Sequence, residues 1–284
     1  MDGDGQDRMR HPHLLTPSLV AIAHGSRDPR AGAAIAELLA VDRERAAAHG
    51  LAGLGVHGAF LGHAPPAPVQ VLSALAGQPG GERDVVVLPL LLTAAYHSGT
   101  DIPGLLAEAT ASLPGLRFRY GEPLGPHPGL VRALERRLAE AGQDRGGDPA
   151  RTAVVLASAG SSHPAANAAI ARMASGWQAA RGWLAVRPAY ASAASPAPAE
   201  AVADLLRCGA RRVVVASYLL APGLFADRIR ETSLAAGAAA VSAPLGAAAE
   251  VADVLLDRYR QAAARAAARE DALGGRCGAR VSVR

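Results

Sequence analysis

Lysine is absent from this chain of 284 residues: all 29 basic residues are arginines, set against 25 acidic residues. The arginines are scattered among the acids, and aromatic residues make up only 4% of the sequence. A nucleic-acid-binding surface needs clustered cations and, for single strands, stacking aromatic rings. The composition therefore argues against nucleic-acid binding. It is compatible with a polycarboxylate ligand, since the planar guanidinium pairs well with carboxylates.

Cysteine is also scarce. The two cysteines, Cys208 and Cys277, form neither a CxxC pair nor a framework of several bridges, so we expect two unpaired thiols. Long apolar runs are missing too, because no stretch reaches the roughly 20 apolar residues of a membrane span. The polar N-terminus has no apolar segment of the kind that secretory signals contain. These absences predict a cytoplasmic protein with no membrane association.

The sequence does contain an alternation of short apolar runs and amphipathic stretches. Runs such as LVAIA (19–23) and VVVLPLLL (85–92) are typical of buried strands. The stretch RAGAAIAELLAVDRERAAAH is typical of a helix, with Asp28 and Pro29 as its start signal and Gly50 as its stop. Strands that alternate with helices predict an α/β fold with mostly parallel sheets.

The second half of the chain repeats the first. TAVVLASAGSSHP matches SLVAIAHGSRDP, and RVVVASYLLAPGLFADRI matches DVVVLPLLLTAAYHSGTDI, with two further matched blocks in the same order. This order indicates an internal duplication, and each copy is predicted to be an α/β domain with a mostly parallel sheet. The predicted division is a flexible tail (1–17), a first domain (18–142), a linker (143–151), a second domain (152–261) and a flexible C-terminal tail (262–284).

Histidines mark the strand ends of the first half. His24 directly follows the first apolar run, and His97 follows the third by a few residues. Ligands bind at the carboxyl ends of the strands in an open parallel sheet, so both imidazoles are predicted to face one cavity. Two imidazoles suit a borderline divalent ion such as Fe²⁺, Co²⁺ or Ni²⁺, and neutral imidazole accepts protons near neutral pH. His63, after the second strand, is a further candidate for this cavity.

The repeat replaces both histidines at once. Ala159 aligns with His24 and Phe225 aligns with His97, while the surrounding strands and helices stay recognisable. Packing alone does not require a paired loss, whereas one working site beside one structural copy explains it. The alternative is that His24 and His97 are loop histidines with local hydrogen bonds.

Several motifs in one order resemble the CbiX/SirB sirohydrochlorin chelatases, which are class II, ATP-independent chelatases. They are AHGSRDP after the first strand, AFL and AxP after the second, YHSGTDIP after the third, and the later PLGPHP. The likeness extends over residues 18–140 and, as a degenerate copy, over 151–258. It implies two tandem chelatase-like domains of flavodoxin- or Rossmann-like fold, each a mostly parallel sheet flanked by helices. It also implies a lyase that inserts a divalent metal, Fe²⁺ in preference to Co²⁺, into sirohydrochlorin for sirohaem or cobalamin biosynthesis.

The resemblance also implies roles for particular residues. His24 would be a metal ligand and the proton acceptor, and His97 would be the second ligand. The substrate-binding residues would be Gly25, Ser26, Gly62, His63, Leu92, Thr93, Ala94, Ala95 and Tyr96. No tightly bound cofactor is expected, because the metal is a substrate. Two pseudo-symmetric halves in one chain favour a monomer.

Two departures from the family pattern keep other functions open. Gly62 stands where many relatives carry an acidic residue, and the chain lacks the cysteine-rich iron–sulfur motif of some long members. Either His63 compensates for the missing acid or turnover is weakened. The alternatives to a chelatase are therefore a non-catalytic tetrapyrrole or metal carrier and a purely structural α/β protein.

Overall fold

A computed structural model describes residues 16–78, 84–93, 102–142 and 148–277 of the chain, with side chains up to residue 265. Strands and helices alternate in two equal sets. The first set is β1 (Ser18–Ala23), α1 (Pro29–Ala48), β2 (Val56–Phe60), α2 (Pro68–Ala76), β3 (Asp84–Pro89), α3 (Ile102–Ser112), β4 (Arg117–Tyr120) and α4 (Pro128–Glu140). The second set is β5 (Thr152–Ser158), α5 (Pro164–Arg181), β6 (Ala185–Tyr190), α6 (Pro198–Arg207), β7 (Arg212–Tyr218), α7 (Leu224–Ala235), β8 (Ala240–Val241) and α8 (Ala249–Cys277).

Each set of strands forms its own four-stranded sheet. The strand orders are β2-β1-β3-β4 and β6-β5-β7-β8, and the paired strands are parallel. The predicted α/β class with parallel sheets is therefore confirmed. In both sheets the second strand in sequence pairs with one side of the first strand, and the third strand pairs with its other side. This switch of direction opens a crevice at the carboxyl ends of the central strands.

Alternate residues of a central strand face different cores. In β1, Leu19 and Ala21 belong to a core between the two sheets, whereas Val20 and Ile22 belong to an outer core with α2 and α3. All four are fully buried. A parallel strand that is covered on both faces needs apolar residues at both phases of its period of two. This explains why the run LVAIA contains no polar residue.

The two halves share the core between the sheets, and each half lends its last helix to the other. Helix α8 packs against α1 and β3 of the first half, and helix α4 packs against β7 of the second half. Arg45 of α1 forms an ion pair with Asp253 of α8 at 2.6 Å. The hydroxyl of Tyr259 donates to the carbonyl of Pro17 over 2.6 Å. The domain limits predicted at residues 142 and 152 follow the sequence repeat and stay a prediction.

The internal repeat extends to individual turns. The Gly62 N–H donates to the carbonyl of His24 over 3.2 Å, and the Ser192 N–H donates to the carbonyl of Ala159 over 3.0 Å. The following residue has a positive φ in both copies, 63° in the first and 57° in the second. The duplication that the sequence indicates is therefore present in the backbone hydrogen bonds as well.

Helix α8 is longer than the sequence analysis expects. It continues to Cys277, past residue 262, where the flexible tail was predicted to begin. This stretch is rich in Ala and Arg, which are among the strongest helix formers. High local helix propensity therefore favours a helix over this stretch.

Two further features concern the thiols and the membrane. Cys208 is exposed at the end of α6 and forms no disulfide within the described part of the chain. The side chain of Cys277 lies outside the described residues. None of the helices described combines the length and the apolar character that crossing a membrane requires.

Asp42 on α1 is a buried carboxyl. It is 0% exposed, and neither of its oxygen atoms has a hydrogen-bond partner among the described residues. Burial raises its pKa to about 7, the Arg43 charge opposes this increase, and the Asp253 charge adds to it. The native state therefore holds a proton near neutral pH that an unfolded aspartate, with a pKa of about 3.9, has already released.

Replacing Asp42 with Asn is expected to stabilise the protein in a pH-dependent way. Between about pH 4 and pH 7 the native state binds more protons than the unfolded state, so the wild-type free energy of unfolding falls as pH rises. Asn cannot ionise, and its advantage should reach on the order of 4 kcal/mol above pH 7, at about 1.36 kcal/mol per pKa unit. Urea unfolding of both proteins at pH 4.5, 6 and 8 measures this. A difference that does not change with pH would contradict the assignment.

The exchange of α4 and α8 predicts the behaviour of an isolated first half. A chain of residues 1–151 lacks α8, so the apolar faces of α1 and β3 that this helix covers would meet water. We expect two copies to associate and to cover these faces with each other's α4, as in domain swapping. Light scattering would then give the mass of a dimer. A monomer that unfolds cooperatively would show that the half is complete without the exchange.

Candidate active site

A cleft lies between the two halves, at the carboxyl ends of the central strands. Three cavities, of about 410, 290 and 860 Å³, share His24 as a lining residue. The first has residues 219–226 of the second half on its wall, and the second has residues 158–161. Both halves therefore enclose the space around this one imidazole.

His24 is held at the junction between strand β1 and helix α1. It is the first residue after the strand, and its side chain is exposed to the cleft. The Ser26 hydroxyl accepts from the Asp28 N–H over 3.0 Å, and the Asp28 carboxylate caps α1 by accepting from the Arg30 N–H over 3.0 Å. These local bonds fix the turn, so the strand end positions the imidazole.

Gly25 allows a second turn to touch the first. Its φ is 88°, and a Cβ at this position would overlap the carbonyl oxygen of Gly62. The second half has the same contact, because a Cβ at Gly160 would overlap the carbonyl oxygen of Ser192. Only glycine fits at a positive φ with a carbonyl so close.

Gly62 and His63 bring the second strand end into the site. His63 is exposed and lines the 860 Å³ cavity together with His24, Gly25 and Ser26. Gly62 faces open space where a side chain would stand. Over the described residues, no three His, Cys, Asp or Glu side chains form a group that could hold a metal ion. The described part of the site therefore offers at most a pair of such ligands at one point.

The third strand end contributes the loop after β3. Leu92 and Thr93 are half-buried and line the 290 Å³ cavity with His24. The structure thus places six predicted residues around His24, namely Gly25, Ser26, Gly62, His63, Leu92 and Thr93. The remaining predicted residues, Ala94, Ala95, Tyr96 and His97, lie outside the described residues.

The second half supplies an apolar wall that the sequence analysis did not identify. Leu224 and Phe225 lie in the first turn of α7, are 83% and 43% exposed, and line the 410 Å³ cavity opposite His24. Two adjacent large apolar side chains that line a cavity form the kind of exposed apolar surface that ligand-binding grooves present. The sequence signal for this wall is the alignment of Phe225 with His97, since an apolar ring replaces an imidazole at the edge of the cleft.

An ion-pair bridge crosses the mouth of the cleft. The Arg30 guanidinium lies 2.6 Å from the Asp28 carboxylate and 2.6 Å from the Asp227 carboxylate of α7. Its hydrogen bonds hold the pKa of both carboxyls below the usual range. Arg30 and Asp227 are exposed and Asp28 is half-buried, so solvent and salt screen the bridge. Arg27, which also lines the cleft, has no ion pair in the described part of the chain.

Comparison with known proteins agrees with this arrangement. A model of the CbiX family matches residues 18–141 and again residues 153–262. The chain is 30% identical to the sirohydrochlorin cobaltochelatase of Priestia megaterium over 217 residues, which are 75% of this chain and 67% of that protein. It is 27% identical to the sirohydrochlorin ferrochelatase of Bacillus subtilis over 199 residues, 69% of this chain and 75% of that protein.

Solved structures show the same architecture. SirB from Bacillus subtilis with Fe³⁺ superposes with a TM-score of 0.75 at 25% identity, covering 89% of this chain and 98% of that one. The structure of CbiX, the terminal enzyme for sirohaem biosynthesis in denitrifying bacteria, has a TM-score of 0.62 at 23% identity and shows the fold. The resemblance that the sequence motifs carried is thereby confirmed. The chain belongs to the CbiX family, with one copy of the family pattern in each half.

Proposed function

We propose that this protein is a sirohydrochlorin chelatase, a lyase that inserts a divalent metal into sirohydrochlorin without ATP. One observation carries the proposal: in a chain of the CbiX family, His24 stands at a strand end inside a cleft between two halves. The relatives named for this chemistry include a cobaltochelatase and a ferrochelatase. The second half carries Ala159 at the equivalent strand end, so the chain has one such centre and not two.

The reaction requires a base and a weak metal site. Sirohydrochlorin loses two pyrrole N–H protons as the dication enters, so charge is balanced when those protons pass to acceptors. We assign His24 as a metal ligand and, once the metal has left its nitrogen, as the acceptor of one of the two protons, while the other passes to solvent. His97 is assigned as the second ligand. A pair of neutral imidazoles binds a dication without thiolate or carboxylate charge, which favours its release into the macrocycle.

The walls of the cleft suit a flat ring with charged edges. Leu92 and Thr93 line the 290 Å³ cavity, and Leu224 and Phe225 line the 410 Å³ cavity, so both halves offer wall surface, most of it apolar, to a macrocycle beside His24. The backbone at Gly25 and Ser26 precedes the N-terminal end of α1, which favours an anionic group. Arg27, exposed at the same edge, is suited to pair with a second peripheral carboxylate.

Imidazole ligation is compatible with both metals under consideration. Fe²⁺ and Co²⁺ are neighbours in affinity for nitrogen ligands, and availability decides between such ions in cells. We propose Fe²⁺ as the favoured substrate and Co²⁺ as the alternative. No tightly bound cofactor is needed for this reaction, because the metal is consumed as substrate. The cleft is built within one chain, so we propose a monomer.

Position 62 supports a second candidate function. Gly62 leaves open space where many CbiX/SirB chelatases carry an acid, and the described residues form no group of three metal ligands. A protein that binds the tetrapyrrole or the metal but does not join them would be a carrier that keeps the chelatase fold. Metallation above the protein-free rate distinguishes the chelatase from the carrier.

Replacing His24 with Ala is expected to lower the rate of metallation by about 100-fold or more, the usual contribution of a positioned base. The visible spectrum of sirohydrochlorin with Fe²⁺ or Co²⁺, recorded without oxygen, measures this rate. His97→Ala should cause a comparable loss. His163→Ala is the matched control, because His163 precedes a helix in the second half and lines none of the three cavities around His24. Rates unaffected by His24→Ala would exclude it as the base.

Replacing Gly62 with Glu is expected to raise the rate of metallation on the order of tenfold, because it returns a proton acceptor to the cleft. The open space at this position should accept the side chain, so the melting temperature should change little. Gly62→Ala is the control, since it adds a Cβ at the same position without a carboxylate. If Gly62→Glu has a lower or unchanged rate while Gly62→Ala keeps the wild-type rate, the missing acid does not limit turnover.

A further inference from the structure

The loop after β3 is held by its backbone carbonyls. The Leu91 carbonyl accepts from the Gly125 N–H over 3.2 Å. The Leu92 carbonyl accepts from the Tyr218 hydroxyl over 2.9 Å. Gly125 belongs to the first half, whereas Tyr218 is the last residue of β7 in the second half. A side chain from the degenerate copy therefore fixes the loop that leads towards His97.

The Tyr218 hydroxyl is suited to act as a permanent donor. The residue is 1% exposed, and burial raises the pKa of its phenol well above the usual range. The phenol therefore stays protonated over the whole physiological pH range. A buried hydrogen bond whose donor loses its partner leaves a polar group unsatisfied, so the Leu92 carbonyl is held to this position.

Gly125 allows this close approach. A Cβ at Gly125 would overlap both the Leu92 carbonyl oxygen and the Tyr218 hydroxyl oxygen. The three groups therefore meet in a space that admits no further atom. The hydrogen bond between the two halves is thus enclosed by backbone on one side and by the Tyr218 ring on the other.

The second half does not receive the same contact in return. Leu90 occupies the position equivalent to Tyr218 in the first half and has no hydroxyl to donate. The loop after β7 is held through Leu219 and Leu220, whose carbonyls accept from the N–H groups of Leu245 and Gly246 of the same half. Among the described residues, the tyrosine contact therefore supports the loop after β3, which lines a cavity with His24, and has no counterpart at the loop after β7.

We infer that Tyr218 is a positioning residue of the site, and that it is one contribution of the second half to the reaction. It fixes the Leu92 carbonyl and thereby the described part of the loop, Leu92 and Thr93, which lines the 290 Å³ cavity with His24. Tyr218 lines the 290 Å³ cavity that His24 shares, but not the 410 or 860 Å³ cavities, and it is assigned no contact with the metal. The inference rests on the proposed chelatase function for its kinetic test, but its structural content can be measured by metal binding alone.

Tyr218→Phe tests the inference, because it removes the hydroxyl and keeps the buried ring. We expect kcat for metallation to fall about tenfold, the effect of losing one hydrogen bond of ordinary strength, with KM for sirohydrochlorin unchanged. Tyr259→Phe is the matched control. It removes an equally buried hydroxyl that donates to the Pro17 carbonyl, away from the cleft. Equal loss of kcat in both variants would reduce Tyr218 to a residue that only stabilises the fold.

A double-mutant comparison identifies the path of the effect. If Tyr218 acts through the loop that carries His97, Tyr218→Phe should cause no further loss in a His97→Ala background. Independent losses that multiply would overturn this path. Titration with Co²⁺ alone gives a readout without turnover, and Tyr218→Phe should weaken binding by a similar factor. If the wild-type protein binds Co²⁺ but does not accelerate metallation of sirohydrochlorin, the chelatase function is refuted. The Co²⁺ affinity of Tyr218→Phe then decides the positioning role. A protein that does neither would refute both.

Discussion

The apolar side chains between the two sheets must be buried, and the rest of this structure depends on that constraint. The inner faces of the central strands carry Leu, Val and Ala, and neither sheet covers its own inner face with its own helices alone. Helices α4 and α8 cross between the halves to complete this core. The two copies of the repeat are consequently fixed relative to each other by a shared apolar interior, and not by a few surface contacts.

That fixed relation is what makes a cleft available. The carboxyl ends of β1 and β3 face those of β5 and β7, so a ligand between them meets two equivalent edges. Duplication supplies the shape twice, and the side chains then differ. The first half offers His24 and His63, whereas the second half offers Leu224 and Phe225 as apolar surface and Tyr218 as a donor to the opposite loop. A symmetric frame thus surrounds an asymmetric centre.

Much of this could be predicted from the sequence, because it follows from local patterns. Runs such as LVAIA gave the strands, Asp28 with Pro29 gave the start of α1, and the order of the matched blocks gave the duplication. His24 could be placed because it follows a strand directly. The exchange of α4 and α8 could not be predicted, since an apolar helix face indicates burial but not the partner that buries it. The role of Tyr218 was hidden for a similar reason: its partner is a backbone carbonyl 126 positions away.

The path of α8 has a consequence for how the protein is made. Its Tyr259 bonds to Pro17, a separation of 242 positions along the chain, and contacts of such range slow folding because a long loop must close first. During synthesis from the N-terminus, the first sheet emerges long before the helix that covers it. The part of its apolar inner face that α8 covers stays exposed until α8 has left the ribosome. Because the two repeats are joined in one chain, the first sheet is synthesised first but is among the last elements to be fully covered.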